Sequence, residues 1–195
     1  MRRREILAGL GGAGIVAGAG ALAATGGSLS TGGSGDGSDS DGSSGLVGEQ
    51  FEPLEIETAD ARGSEAGTVQ VPTPGQPTFV DFFATWCAPC KKQMDALAEA
   101  HTRVSDDVVF LSVTSEPFGR SIEMSELATW WRDHGGNWTI GLDPNAKLTS
   151  RYWGSQYPVA VAIDASGTLR WRERGIKTAD ELVAGIEQAV AAGGE

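Results

Sequence analysis

Apolar and polar residues alternate in two short segments just after residue 50, which predicts two half-exposed strands. Leu54 to Thr58 and Gly67 to Val71 both show the period of two that belongs to a strand. Two later segments, Thr78 to Phe83 and Val108 to Val113, are almost continuously apolar and rich in β-branched or aromatic residues. They predict buried strands near the centre of a sheet.

Apolar residues recur at three- and four-residue spacing in four segments, which predicts helices over residues 88–104, 125–134, 146–152 and 178–191. Ser125 is the predicted cap of the second helix. Residues 159–163 and 168–173 predict two more strands, joined by the turn Asp164 to Gly167. Strands separated by helices, then a hairpin and a last helix, predict a three-layer α/β domain.

Residues 1–48 differ in composition from the remainder of the chain. They hold 15 of the 28 glycines and neither an aromatic residue nor a cysteine. Three arginines, Arg2 to Arg4, precede nineteen residues, Ile6 to Ala24, that are all Gly, Ala, Ile, Leu or Val. This pattern predicts an export signal over residues 1–24, and Arg3-Arg4 with the apolar residues that follow resembles a twin-arginine signal. An uncleaved membrane anchor is the alternative, since nineteen residues can span a bilayer.

Residues 25–48 form a run of Gly, Ser and Asp with almost nothing to bury. Such a run predicts a flexible linker. Residues 49–195 hold every tryptophan, phenylalanine, tyrosine and cysteine of the chain. One folded domain is therefore expected there.

The chain is acidic, because 15 Lys and Arg residues stand against 26 Asp and Glu residues, for a net charge of -11. This balance disfavours nucleic acid as a partner, since phosphate contacts need clustered basic residues. The excess of acidic residues resembles that of proteins from halophiles, whose acidic surfaces keep them soluble in strong salt. A merely acidic soluble domain is the alternative.

Both cysteines lie in Trp86-Cys87-Ala88-Pro89-Cys90, where a predicted buried strand becomes a helix. At a helix start, unpaired N–H groups and the positive end of the dipole favour a thiolate. The pattern predicts Cys87 as the nucleophile and Cys90, one turn later, as the resolving cysteine. Redox chemistry is the favoured interpretation of a pair with this spacing.

Three other interpretations of the cysteine pair have less support. A structural zinc site needs four ligands, and His101 and His134 are the only histidines of the chain. Attachment of a c-type haem needs a histidine at position 91, where Lys91 stands. A purely structural disulfide would close so short a loop that it adds little stability. We therefore expect no metal, and no cofactor besides a redox-active Cys87–Cys90 disulfide.

The segment from Val80 to Lys91, VDFFATWCAPCK, resembles the active site of thioredoxin-fold proteins, and is most similar to extracytoplasmic TlpA- and ResA-like thiol:disulfide oxidoreductases. The resemblance extends loosely from Phe51 to the C-terminus. It implies a thioredoxin-like α/β/α fold with a central mixed sheet. It also implies that Pro158 is a cis-proline beside the cysteines, against the trans default for X-Pro bonds, and that the backbone of Tyr157 pairs with a substrate. Trp86, which adjoins the nucleophile, is a further expected substrate contact.

Asp81 is a carboxylate inside an otherwise apolar strand, where burial is costly and raises a pKa. Such a group can accept the proton of Cys90 as that cysteine attacks. The resemblance places a buried carboxylate at the same position. A solvent-facing aspartate at a strand end is the alternative.

The chain departs from the TlpA and ResA pattern in the helix after Cys90. Those proteins commonly show Cys-x-x-Glu-x-Pro, whereas Gln93 and Asp95 stand here in place of the Glu and the Pro. This departure argues against a specialised role in cytochrome maturation and assigns proton transfer to Asp81.

Together these features predict an enzyme outside the cytoplasm that reduces disulfides of exported partner proteins and receives electrons from a membrane or thiol partner. Reduction is expected because Ala88-Pro89 offers no polar group that would stabilise the reduced thiolate strongly. A disulfide donor or isomerase is the alternative within the same class. A peroxidase, or a non-catalytic chaperone for a metal or an apocytochrome, has less support.

Overall fold

The computed structural model describes residues 46–152 and 154–193, which contain seven strands and four helices. The strands are β1 (Leu54–Thr58), β2 (Gly67–Val71), β3 (Thr78–Phe83), β4 (Val109–Thr114), β5 (Thr139–Leu142), β6 (Val159–Ile163) and β7 (Leu169–Arg174). The helices are α1 (Ala88–Arg103), α2 (Met124–Asp133), α3 (Lys147–Arg151) and α4 (Ala179–Ala192). Among the described residues, no helix is long and apolar enough to cross a membrane.

The seven strands form one mixed sheet in the order β2-β1-β5-β4-β3-β6-β7. The neighbours β3, β4 and β5 run parallel, and α1 and α2 connect them. The outer strands pair antiparallel, β1 with β5 and β2 on one side, and β6 with β3 and β7 on the other. The carboxyl ends of β3 and β4 therefore meet at one edge of the sheet, where the cysteine segment begins.

Each face of the sheet is covered by its own hydrophobic cluster. The first cluster joins Phe79 and Phe83 of β3 to buried residues of α1, α2 and α4. The second joins Val80 and Phe82 of β3 to Leu148 of α3 and to other buried side chains. Successive strand residues point to opposite faces, so this alternation defines three layers. The predicted three-layer α/β fold with a mixed sheet is confirmed.

Two features of the predicted secondary structure were wrong. Ser125 does not cap the second helix, because α2 begins at Met124 with Glu123 as the capping residue. The Glu123 N–H donates to the carboxylate of Glu126 at 2.8 Å, so a glutamate pair replaces the expected serine cap. Strand β5 was not predicted. The export signal and nearly all of the linker lie outside the described residues.

The first described residues cross the outer edge of β7. The Gly48 N–H donates to the Leu169 carbonyl at 2.8 Å, and the Leu169 N–H donates to the Glu49 carbonyl at 2.9 Å. Val159 pairs with Arg174 at one end of the β6–β7 ladder, and Leu169 lies at the other end. The chain thus enters the domain at the end of β7 farthest from Pro158.

Candidate active site

The two cysteines form a disulfide at the start of α1, with an S–S distance of 2.08 Å. Cys87 is the N-cap residue of this helix, and its sulfur accepts the Cys90 N–H at 3.2 Å. Pro89 fits the first turn because an N–H there has no partner within the helix. On reduction, the helix dipole and this N–H favour a thiolate on Cys87.

The disulfide is shielded from solvent, although Trp86, the residue before it, is exposed. Cys87 is 4% exposed and Cys90 is 2% exposed, whereas Trp86 is 71% exposed. Little of Cys87 is therefore accessible from solvent, and the exposed side chain next to it in sequence is an indole.

Asp81 is buried in the centre of the sheet and faces the layer that holds α1. It is 2% exposed, which excludes the solvent-facing alternative. It alternates along β3 with Val80 and Phe82 of the opposite cluster, so it shares a face with Phe79 and Phe83. Burial raises the pKa of Asp81 to about 7, and a hydrogen bond from Ser112 opposes this effect. The carboxyl group can thus hold or release a proton near neutral pH.

Two further residues complete a buried hydrogen-bond chain to Asp81. Ser112 lies opposite Asp81 in the β3–β4 register, and its hydroxyl donates to Asp81 Oδ2 at 3.3 Å. The indole N–H of Trp138 donates to the Ser112 hydroxyl at 3.0 Å. This indole bond occupies a lone pair of the hydroxyl and helps to orient its proton toward the carboxylate. Ser112 is fully buried and Trp138 is 2% exposed, so these hydrogen bonds are shielded from water.

A buried glutamate that the sequence analysis missed holds the segment before the cysteines. Glu116 is 5% exposed and follows β4. Its carboxylate accepts the Thr85 N–H at 2.7 Å, the Thr85 hydroxyl at 2.8 Å and the Thr114 hydroxyl at 3.1 Å. The order of the strands could have indicated this contact. Parallel neighbouring strands end at the same edge of the sheet, and the residues that follow them lie close together.

The second side of the site is formed by Tyr157 and Pro158, which precede β6. The peptide bond between them is cis. The ring of Tyr157 meets Trp86 edge-on, with centroids 6.0 Å apart, and its hydroxyl pairs with that of Ser115 at 2.5 Å. Burial raises the pKa of the Tyr157 hydroxyl. Two consecutive residues therefore hold two separate parts of the site. Ser115 holds Tyr157, and Glu116 holds Thr85.

The two histidines lie apart from the cysteine pair in sequence and pack on aromatic rings. His101 contacts Phe110 and Trp138, and His134 stacks on Trp130 with centroids 4.4 Å apart. Within the part of the chain that the structure describes, no three His, Cys, Asp or Glu side chains are grouped so that they could hold a metal ion.

Comparisons with known proteins agree with this geometry. The Redoxin family model matches residues 46–190. The thiol:disulfide interchange protein CycY of Rhizobium leguminosarum bv. viciae is 24% identical over 143 residues, which cover 70% of this chain and 74% of CycY. The sporulation thiol-disulfide oxidoreductase A of Bacillus subtilis is 23% identical over 121 residues, covering 60% of this chain and 71% of that protein.

A solved structure shows the same fold. The exposed lipoprotein thioredoxin Etrx1 of Streptococcus pneumoniae superimposes with a TM-score of 0.58 at 22% identity, covering 70% of this chain and 98% of Etrx1. A thioredoxin-like sheet with a Cys-x-x-Cys disulfide at the start of α1 defines a thiol:disulfide oxidoreductase of the thioredoxin fold. Within that class, the chain belongs to the Redoxin family.

Proposed function

We propose that this protein reduces disulfides of exported polypeptides outside the cytoplasm, through a cycle between the Cys87–Cys90 dithiol and disulfide. The observation that carries the proposal is the cysteine pair at the start of α1, with Cys87 as the N-cap residue. The names of several relatives support the chemistry, and the similarity to Etrx1, an exposed lipoprotein, supports the location.

The first step is attack of the Cys87 thiolate on a partner disulfide. A bond forms between Cys87 and one partner sulfur, and the other partner sulfur leaves as a thiolate with the electron pair of the broken bond. The helix start stabilises the attacking thiolate. Trp86 and Tyr157 are the proposed contacts for the partner, since the two rings pack together beside Cys87.

The second step is attack of Cys90 on the sulfur of Cys87. Asp81 accepts the Cys90 proton, the new Cys87–Cys90 disulfide forms, and the second partner sulfur leaves. Two electrons have then passed from the dithiol to the partner, and a membrane or thiol donor must restore the dithiol. The position of Asp81 on the α1 side of β3, with its pKa near 7, supports this role.

The direction of the reaction is proposed from the surroundings of Cys87. Within the described residues, its sulfur accepts one hydrogen bond, from the Cys90 N–H, and neither Ala88 nor Pro89 offers a polar side chain. Strongly oxidising proteins of this fold stabilise their reduced form. A thiolate with few donors is stabilised less, which favours a reductase over a disulfide donor.

A redox titration followed by tryptophan fluorescence tests the direction, because Trp86 adjoins the disulfide. We expect a potential near about -270 mV, that of thioredoxin, and a value above about -150 mV would instead indicate an oxidant. In the same preparation, C87S should abolish disulfide reduction, and C90S should accumulate a mixed disulfide on Cys87. Full activity of both variants would refute the enzymatic proposal.

We also propose that residues 1–24 export the protein and that residues 25–48 link the domain to the membrane or to the cleavage site. Cell fractionation of the full chain and of a variant with Arg3 and Arg4 both replaced by Lys tests this proposal. The variant should stay in the cytoplasm, and equal export of the two proteins would contradict a twin-arginine signal.

A further inference from the structure

The hydroxyl groups of Ser115 and Tyr157 form a hydrogen bond between two segments that lie 42 positions apart in sequence, with the oxygens 2.5 Å apart. Ser115 follows the last residue of β4, and Tyr157 comes two residues before β6. In the sheet, β3 lies between β4 and β6. The bond therefore joins the two strands that flank β3, at the end where β3 leads to Cys87.

The side chain of Tyr157 lies over the end of the sheet. It packs against both hydrophobic clusters, one on each face. A side chain that touches both faces has to cross the sheet where a strand ends, and the strand that ends between Ser115 and Tyr157 is β3. The ring of Tyr157 also meets Trp86 of the segment that leaves β3. The Tyr157 side chain is thus placed across the base of the cysteine segment.

Ser115 is the more firmly held member of the pair. It stands between Thr114, which is paired with β3 in the sheet, and Glu116, whose buried carboxylate accepts three hydrogen bonds. Residues 155–156, which precede Tyr157, are exposed. The bond between the two hydroxyls therefore ties Tyr157 to a fixed support.

The bond is available at neutral pH because the phenol stays protonated. Burial raises the pKa of Tyr157, the hydrogen bond with Ser115 opposes this effect, and the carboxylates of Asp143 and Glu116 raise the pKa again. Each hydroxyl keeps its proton, so either group can donate to the other.

We propose that Ser115 is a positioning residue that fixes the side chain of Tyr157, and through it the backbone on which a partner polypeptide pairs. The inference rests on the proposed function, because it concerns the partner of the same cysteine pair. Ser115 exchanges neither electrons nor protons in this scheme. A backbone that is fixed beforehand loses less conformational entropy when a partner binds, so the bond should raise the affinity for polypeptides. A small disulfide without a peptide backbone should not depend on it.

Steady-state kinetics with two substrates test this inference, insulin as the polypeptide disulfide and hydroxyethyl disulfide as the small one. We expect S115A to raise KM for insulin by about fivefold relative to its effect on hydroxyethyl disulfide, as the net loss of one hydrogen bond would, with little change in kcat. Y157F should show the same selective rise, because it removes the other hydroxyl and keeps the ring. The double variant S115A/Y157F should add little to either single variant, since both remove the same bond.

Two matched variants serve as controls. S115T keeps a hydroxyl at position 115 and should keep the wild-type ratio of the two KM values. S125A makes the same chemical change as S115A at an exposed serine of α2, and its kinetics should equal those of the wild type.

Three results would overturn the proposal. The first is an unchanged KM for insulin in S115A, or in Y157F if S115A does not fold. The second is an equal rise in KM for both substrates, because the effect would then lie on the cysteine pair and not on the binding of a polypeptide. The third is a double variant whose effect is the product of the two single effects, because Ser115 would then not act through Tyr157.

The two proposals fail in different ways. A wild-type protein that reduces neither substrate contradicts the proposed function. A wild-type protein that reduces both, with S115A and Y157F at the wild-type ratio of the two KM values, contradicts only the role of Ser115.

Discussion

Replacing Asp81 by Asn should stabilise the protein, and by an amount that depends on pH. Burial raises the pKa of Asp81 from 3.8 to about 7. As the pH rises above 3.8, the unfolded chain loses this proton first, while the folded protein still holds it. Asp81 therefore lowers the free energy of unfolding progressively as the pH rises from about 4 to about 7.

The size of the effect follows from the shift in pKa. At about 1.4 kcal/mol for each pKa unit, burying Asp81 costs about 2 kcal/mol at pH 5.5 and about 4 kcal/mol at pH 8. Asparagine has the same shape and does not ionise, so it avoids this cost at both pH values. The advantage of D81N over the wild type should grow by about 2 kcal/mol between pH 5.5 and pH 8.

Urea unfolding of the oxidised proteins at the two pH values measures this difference, without reductant so that the Cys87–Cys90 disulfide stays closed. D95N is the control, because Asp95 is an exposed residue of α1 and its replacement removes the same charge. An advantage of D81N that is equal at pH 5.5 and pH 8 would refute the reasoning, since it would mean that the buried carboxyl does not titrate between them.

The same variant should be a poorer catalyst. D81N removes the acceptor that we propose for the proton of Cys90, so the release of mixed disulfides should slow by at least about tenfold. Quenched-flow analysis of the mixed disulfide measures this step. If D81N is more stable but releases mixed disulfides at the wild-type rate, the proposed role of Asp81 in proton transfer is wrong.

Three further predictions concern the surroundings of the site and the surface. S112A removes the hydrogen-bond donor to Asp81, so the pKa of Asp81 should rise further. The pH midpoint of mixed-disulfide release should rise with it. An unchanged midpoint would contradict a role for the Trp138–Ser112–Asp81 hydrogen bonds. E116Q replaces one oxygen that accepts bonds from Thr85 or Thr114, and should lower the free energy of unfolding by about 1–3 kcal/mol, while E187Q on the exposed face of α4 should have little effect in the same denaturation assay. If the acidic surface is adapted to salt, the unfolding temperature should rise from low to molar KCl, and a flat or falling curve would favour a merely acidic domain.

The sequence predicted those parts of the site that depend on local pattern. Cys87 and Cys90 are marked by their spacing at a strand-to-helix junction, and Asp81 by its place in an apolar strand. Most strands were predicted correctly because burial on one face leaves an alternation, burial on both faces leaves a continuous apolar run, and a short window reveals either pattern. Strand β5 has four residues, including Gly141, and so lacks the length to show a period.

The remaining parts depend on contacts between distant segments. Ser112 meets Asp81 only through the β3–β4 register, and Gln93 meets Lys177 across 84 positions of sequence. Glu116 reaches Thr85 only because two parallel strands end side by side. A polar residue within or after a buried strand gives no sign of its partner until the order of the strands is known.

The first described residues and the reactive cysteines lie at opposite ends of the strands. The Gly48 N–H donates to the Leu169 carbonyl at one end of the β6–β7 ladder, and Pro158 precedes the other end. Because Thr78 of β3 pairs with Ile163 at the Leu169 end, the carboxyl end of β3 and the cysteine pair that follows it lie at the other end of the strands. A polypeptide can therefore approach the Cys87–Cys90 disulfide without meeting the segment from Gly48 to Gln50.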